Sequence, residues 1–419
     1  MSVTDNRVKL VFHLRFVNSL DHFAPVVWKL LTNHPVCHVV LYGPRKWEED
    51  YRVAYLKRWR NLSYKKISLY DRIRHRLLSN RVVLIAHQKL AIFRVIHKFI
   101  GTFILPNSLF FNGRPSALIY EWGGPFRTNH FDAINNSIPT FCLPHGTYSY
   151  RNFDISNKHK DYQLKSTPKP DFSNRNIFDH YVFQTSEHEA GFRNWGISSK
   201  ITHVWGNPRF SPDWSSINKE LAPKFVSPFR EQPSVKCLVF LIPVIYRVSE
   251  SKVLELVKCL LELPGIQVVF CARPDCIASV QALVDQGLDE NRNKVRNVVF
   301  DSESPPPALV EWSDVVLNYG SSIVFEAFLQ GKPVIHMPFL QENTTIFDNT
   351  EVVSSTDSVN DVVRLLNNCI NGQLPLPSEE ALTAFLKWQN VILDGDLSPP
   401  ALFAREILAC SMKKPNHSC

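Results

Sequence analysis

The chain predicts an α/β protein of two Rossmann-like domains whose parallel sheets face one another across a cleft, with a helical C-terminal segment. Three observations predict it. The 419 residues exceed what one core ordinarily organises. Short apolar runs of strand length alternate with stretches of helical period along most of the chain, the pattern of parallel sheets covered by helices on both faces. That regularity breaks once, in the proline-rich residues 206–234. Hydrophobic residues make up 44% and charged residues 21%, which excludes disordered and fibrous classes.

The first half opens with a strand at Val8–Leu14, a helix at Leu20–Leu31 and a strand at Val36–Tyr42, a βαβ unit. A basic stretch with helical character follows, and strands resume at Val82–Ala86, Ala117–Tyr120, Thr140–Leu143 and Tyr181–Gln184. The first domain therefore spans 1–210 with a basic insert at 44–100, and 211–234 is a linker. The second domain, 235–419, has strands at Lys236–Ile242, Gln267–Cys271, Val298–Phe300, Val315–Asn318 and Pro333–His336. Its helices fall near 250–263, 276–286, 306–312 and 322–330, and residues 358–412 are mainly helical.

The net charge of +8 is concentrated in one place. Residues 44–98 carry 15 Lys or Arg against 4 Asp or Glu, interleaved with Tyr, Trp, Leu and Ile. Residues 45–98 thus suit either an anionic membrane surface or an acidic acceptor, with a solvated helical face as the plainer reading. No nucleic acid is expected. Nine scattered cysteines without a CxxC pair read as free thiols of a reducing compartment. No export signal is visible, and Arg94, His97, Lys98 and Pro106 interrupt the longest apolar stretch, Leu90–Phe111, so no membrane span is expected. A cytoplasmic protein, possible also as a peripheral one on the inner face of the cytoplasmic membrane, is the resulting expectation.

Five constellations carry chemistry. In NYGSSIVFEAFLQGKPVI a buried strand ends at Gly320, and Ser321 and Ser322 open a helix, so that backbone N–H groups and hydroxyls converge where the dipole favours a diphosphate. Glu326, one turn on, is placed to accept hydrogen bonds from ribose hydroxyls; the plainer reading is an N-cap and a solvated carboxylate. In CLPHGTYSYRN a strand ends before His145, a general-base candidate, and Gly146 leaves the backbone open to a substrate. In IYEWGGPFRTN, Glu121 ends another strand and either acts as the base, orients His145 or supports the turn. In VWGNPRF, Asn207 and Arg209 either contact a phosphate or pin the fold. In VVFCARPD the strand aims Arg273 toward the same crevice, for a phosphate or for a neighbouring carboxylate.

Two metal lookalikes have cheaper explanations. In TSEHEAG, Ser186 and Glu189 have capping-box spacing, and Asp394-Gly395-Asp396 sits between helices where turn residues are the rule. No metal and no cofactor are expected.

The order of HG after a first-half strand, GNPRF near the boundary and GSS…E…GKP in the second half resembles bacterial surface-polysaccharide glycosyltransferases of the GT-B type. It is similar also to the related CDP-glycerol glycerophosphotransferases and, more distantly, to UDP-N-acetylglucosamine 2-epimerases. The resemblance implies an acceptor-side first domain and a second domain that binds a nucleotide-sugar donor through Gly320, Ser321, Ser322 and Glu326. It further implies metal-independent transfer of a sugar to a hydroxyl of a surface polysaccharide or lipid-linked glycan, with His145 as base or acceptor-orienting group and Glu121 assisting. The glycerophosphotransferases carry a basic-x-His-Pro motif where this chain has Cys271-Ala272-Arg273-Pro274, so that histidine is missing. Polyol-phosphate transfer, nucleotide-sugar epimerisation and a non-catalytic glycan-binding subunit are the alternatives.

Overall fold

The computed structural model describes residues 8–15, 18–78, 107–110, 113–122, 132–134, 136–152, 171–229, 235–242, 246–272, 277–289 and 297–412. The chain divides into two compact units. The first comprises residues 1–147, 170–214 and 389–419, and the second residues 148–169 and 215–388. The sequence pattern assigns 389–419 to the second half, whereas the described part of that stretch, 389–412, packs in the first unit. Nor does the chain pass between units in a bare linker: the change falls within a helix, Pro212–Leu221.

The first unit is built on a seven-stranded sheet of order β3-β2-β1-β4-β5-β6-β7, all parallel. Its strands are β1 (Val8–His13), β2 (Cys37–Gly43), β3 (Leu62–Lys66), β4 (Ala117–Glu121), β5 (Thr140–Leu143), β6 (His180–Phe183) and β7 (Thr202–Val204). The central strands read as continuous apolar runs because helices cover both faces, leaving no solvated side to demand alternation. Leu10, Val11, Phe12, Leu118, Ile119, Phe141 and Cys142 are all fully buried. The edge strands β3 and β7 lack such a run. LSYKK lies only half-buried inside the basic stretch, where the sequence predicts helices. The expected strand Val82–Ala86 lies outside the described residues.

The C-terminal helix Pro399–Met412 starts on two prolines, suited to a first turn whose N–H groups have no helical acceptor. It buries Phe403, Ala404 and Ile407 and packs on the helix Asn18–Asn33. Phe403 meets Trp205 edge to face at 5.2 Å. Just before this helix, the Asn390 carbonyl accepts from the Asn207 N–H at 2.9 Å, and Asn390 Nδ2 donates to the Gln184 carbonyl at 2.9 Å. Gly206 makes that approach possible. Its φ is +89°, and a Cβ there would lie 2.8 Å from the Asn390 carbonyl oxygen. Gly206→Ala is therefore expected to cost about 2 kcal/mol or more, from left-handed strain and backbone displacement together. Chemical denaturation checks it, and an unchanged midpoint would count against the close approach.

The second unit carries a six-stranded parallel sheet of order β10-β9-β8-β11-β12-β13. Its strands are β8 (Val235–Leu241), β9 (Ile266–Ala272), β10 (Val298–Asp301), β11 (Val315–Asn318), β12 (Val334–His336) and β13 (Ser354–Ser355). Apolar side chains of β8, β9 and β11 join Val253, Leu256, Val257 and Leu260 of the helix Glu250–Glu262 in one core. Burying each such side chain contributes roughly 1.5–3 kcal/mol. In both sheets the strand order reverses beside the first strand of the unit, between β1 and β4 and between β8 and β11. Loops after the carboxyl ends of these strands are where such folds bind ligands.

Among the described residues, no helix is long and apolar enough to cross a membrane. Cys37, Cys142 and Cys237 are buried free cysteines, and Cys271 is buried in β9.

Candidate functional site

In the first unit, β4 and β5 pair in register with Glu121 opposite Leu143, so the two chains leave the sheet side by side. Glu121 is the last residue of β4, and His145 follows β5 after Pro144. This places His145 Nδ1 3.1 Å from Glu121 Oε1. The carboxylate is 2% exposed and the imidazole 37%. A buried carboxylate is costly unless paired. Here the second oxygen, Oε2, accepts from the Ser19 hydroxyl at the start of helix Asn18–Asn33. The two atoms lie at ion-pair distance without the geometry of a hydrogen bond, so the contact holds the ring beside the carboxylate without fixing its tautomer.

Around this pair lies a set of charges. Arg209 pairs with Asp21 at 3.0 Å, and Arg52 bridges Asp21 and Asp50. Burial opposes charge on Asp21, yet Arg209 and Arg52 outweigh it and hold the carboxyl below the usual carboxylate range. Burial, with Arg209 next, pushes the neighbouring His22 imidazole down to about 3, so it stays neutral near pH 7. Asn207 lies buried beneath the loop. Its Oδ1 accepts from the Thr147 hydroxyl at 3.2 Å and from Gln184 Nε2 at 3.3 Å. A Cβ built on Gly146 meets no heavy atom within 4 Å among the described residues, so packing leaves that backbone open.

In the second unit, β11 ends at Asn318, and Gly320, Ser321 and Ser322 lead into the helix Ile323–Leu329. Asn318 Oδ1 accepts from the Ser321 N–H at 2.8 Å, and Ser321 Oγ accepts from the Ile323 N–H at 3.3 Å. The convergence of amides expected from sequence is thus partly used up by the turn itself. Ser321 and Ser322 are half-buried, whereas Glu326 is only 1% exposed, so the expected solvated or ribose-facing carboxylate lies below the surface.

Gly320 is crowded for a different reason. The Ser149 hydroxyl donates to its carbonyl at 2.5 Å, and a Cβ there would lie 2.8 Å from the Tyr150 hydroxyl and 3.1 Å from Gln341 Nε2. Both polar atoms of the Gln341 side chain and Asn318 Nδ2 are buried without a hydrogen-bond partner among the described residues. Leaving a buried polar group unsatisfied costs about 1–3 kcal/mol, so such groups around one loop fit a polar ligand.

Arg273 lies outside the described residues. The structure brings Glu121, His145, Gly146, Asn207 and Arg209 together in one unit and Gly320, Ser321, Ser322 and Glu326 in the other. Sequence reasoning missed Ser19, Asp21, His22 and Arg52, whose helices offered only amphipathic spacing. It also missed Asn318 and Gln341; the polar end of the VVLN run was the available signal for the former. The helix bearing TSEHEAG starts one residue earlier than expected, since Thr185 accepts from the His188 N–H. Among the described residues, no group of three His, Cys, Asp or Glu is arranged to hold a metal ion.

No protein-family model matches the chain, and no curated protein matches it. Solved structures do. The chain is similar to the UDP-GlcNAc 2-epimerase of Methanocaldococcus jannaschii in complex with UDP-GlcNAc and UDP, at 13% identity and a TM-score of 0.54 over 96% of this chain and 99% of that one. It is similar to a glycosyltransferase from Rickettsia africae, at 11% identity and a TM-score of 0.52 over 97% and 98%. A third likeness is to Anabaena Alr3699/HepE in complex with UDP and glucose, at 13% and 0.50 over 96% and 99%. The likeness is one of fold, two parallel sheets with flanking helices in two Rossmann-like domains of the GT-B kind.

Proposed function

We propose that the chain is a glycosyltransferase that moves a sugar from a nucleotide-activated donor to a hydroxyl of a surface polysaccharide or lipid-linked glycan. The observation that carries this reading is the half-exposed His145 imidazole backed by the buried Glu121 carboxylate. In this role Nε2 takes the proton of the acceptor hydroxyl as its oxygen forms a bond to the anomeric carbon, and the bond from that carbon to the donor phosphate breaks. Glu121 offsets the charge that develops on the imidazolium. The loop from Gly320 to Ser322, with Asn318 and Gln341, holds the nucleotide and the leaving phosphate, and Arg273 adds charge.

Epimerisation of a nucleotide sugar is the second reading, supported by the fold likeness to the Methanocaldococcus jannaschii enzyme. Incubation with UDP-, GDP-, CMP- and CDP-linked donors, with and without glycan acceptors and followed by NMR, separates the two. Release of nucleotide with a new glycosidic linkage supports transfer. Conversion of a donor to its epimer without an acceptor would sink the transferase reading, and transfer of a CDP-linked polyol phosphate would replace the sugar as the group moved.

A further inference from the structure

The helix Leu69–Leu78 is inside out. Its sequence, LYDRIRHRLL, would ordinarily turn its leucines inward and its charges to water. Instead Asp71 and Arg74 are buried, while Leu69, Ile73 and Leu77 are 71%, 48% and 55% exposed. These three recur at i, i+4 and i+8 and so form one stripe, and the exposed Arg72 and Arg76 run beside it.

Buried polar contacts lock this orientation. Ser68 and Asp71 cap the first turn reciprocally: the Ser68 N–H donates to Asp71 Oδ2 at 2.9 Å and the Asp71 N–H to Ser68 Oγ at 3.1 Å. Asp71 Oδ1 also accepts from the Ser108 hydroxyl at 2.5 Å. Arg74 pairs with Asp132 at 2.7 Å, and Asn107 Nδ2 donates to the same carboxylate oxygen at 2.6 Å. Rolling the helix to hide its leucines would leave buried charges unpaired, which costs more than the leucines gain. The apolar stripe therefore stays on the surface.

We propose that this helix seats the protein on an anionic lipid surface, its stripe of Leu69, Ile73 and Leu77 entering the headgroup boundary while Arg72 and Arg76 meet lipid phosphates. Charge selects this occupant. The helix carries three Arg against one Asp, and that Asp, Asp71, is buried, so no exposed carboxylate of the helix opposes a negative surface. Apolar insertion and electrostatic attraction together are what interfacial helices use. The inference is independent of the reaction assigned to the protein.

The test is cosedimentation of the full chain with vesicles of phosphatidylcholine alone and of phosphatidylcholine mixed with phosphatidylglycerol. Binding is expected to the mixed vesicles and to weaken with salt. The Arg72→Ser/Arg76→Ser and Ile73→Ser/Leu77→Ser variants, both outside the buried network, are each expected to bind about tenfold more weakly or worse. Absence of binding to mixed vesicles overturns the proposal, as does wild-type binding by both variants. So does a dimer in solution that the Ile73→Ser/Leu77→Ser change dissociates while vesicles are ignored, since the stripe would then serve a second copy of the chain.

Discussion

Turnover by the His145→Ala variant is expected to fall by a factor of about 10²–10⁴, with KM for the nucleotide sugar little changed. The imidazole acts in the proposed step only as the acceptor hydroxyl loses its proton, so its loss is felt in the transition state. Glu121→Gln should lower turnover by about tenfold to a hundredfold. Glutamine keeps the shape and the hydrogen bond to Ser19 but no longer balances a positive imidazole. Since Glu121 is 2% exposed, an unfolding curve on each variant separates lost chemistry from lost structure. Steady-state kinetics with folded His145→Ala at wild-type turnover would remove His145 from the mechanism.

Acid should unfold the first unit well before ordinary carboxylate titration does. Burial pushes the imidazoles of His13, His22 and His188 each down to about 3 from an ordinary 6.5. In the unfolded chain they regain the ordinary value and bind protons that the folded chain refuses. Stability therefore rises with pH across this window: it is fully present above about pH 6.5 and is lost progressively as pH falls toward about 3. At about pH 5.5 each imidazole costs roughly 1–1.5 kcal/mol, and the three together roughly 4 kcal/mol relative to about pH 7.5. Urea unfolding at the two pH values measures it, and equal midpoints would contradict the buried neutral state. His13→Phe should remove about a third of the difference, because His13 already behaves as an aromatic ring, stacked on Tyr120 at 4.5 Å and edge-on to Tyr42.

The strands at the centre of both sheets were legible because burial on both faces writes them as apolar runs: IQVVFCA, VKCLVFL and VVLN each match a strand almost residue for residue. LSYKK was not, since an edge strand with lysines has no second apolar face to declare itself and sits among residues of helical composition. Glu121 and His145 were legible as strand ends. Their approach to 3.1 Å was not, because it depends on the register of β4 against β5 and on where Ser19 falls in a helix a hundred residues earlier. The destination of residues 389–412 was equally hidden. Phe403, Ala404 and Ile407 mark a face to be buried but not the surface that buries it.

That last feature bears on how the protein is made. The first unit needs Phe403, Ala404 and Ile407 to cover part of the helix Asn18–Asn33, and these residues are translated only after the whole of residues 215–388. At ordinary synthesis rates the ribosome takes about 10–40 s to travel from the end of the first unit's middle segment, Trp214, to that helix. Throughout that interval the second unit's main stretch, 215–388, is emerging while the first waits with an apolar surface uncovered. The amino-terminal half is thus the later of the two to be completed, and nascent chains stalled before residue 399 are where chaperone capture and misassembly will concentrate.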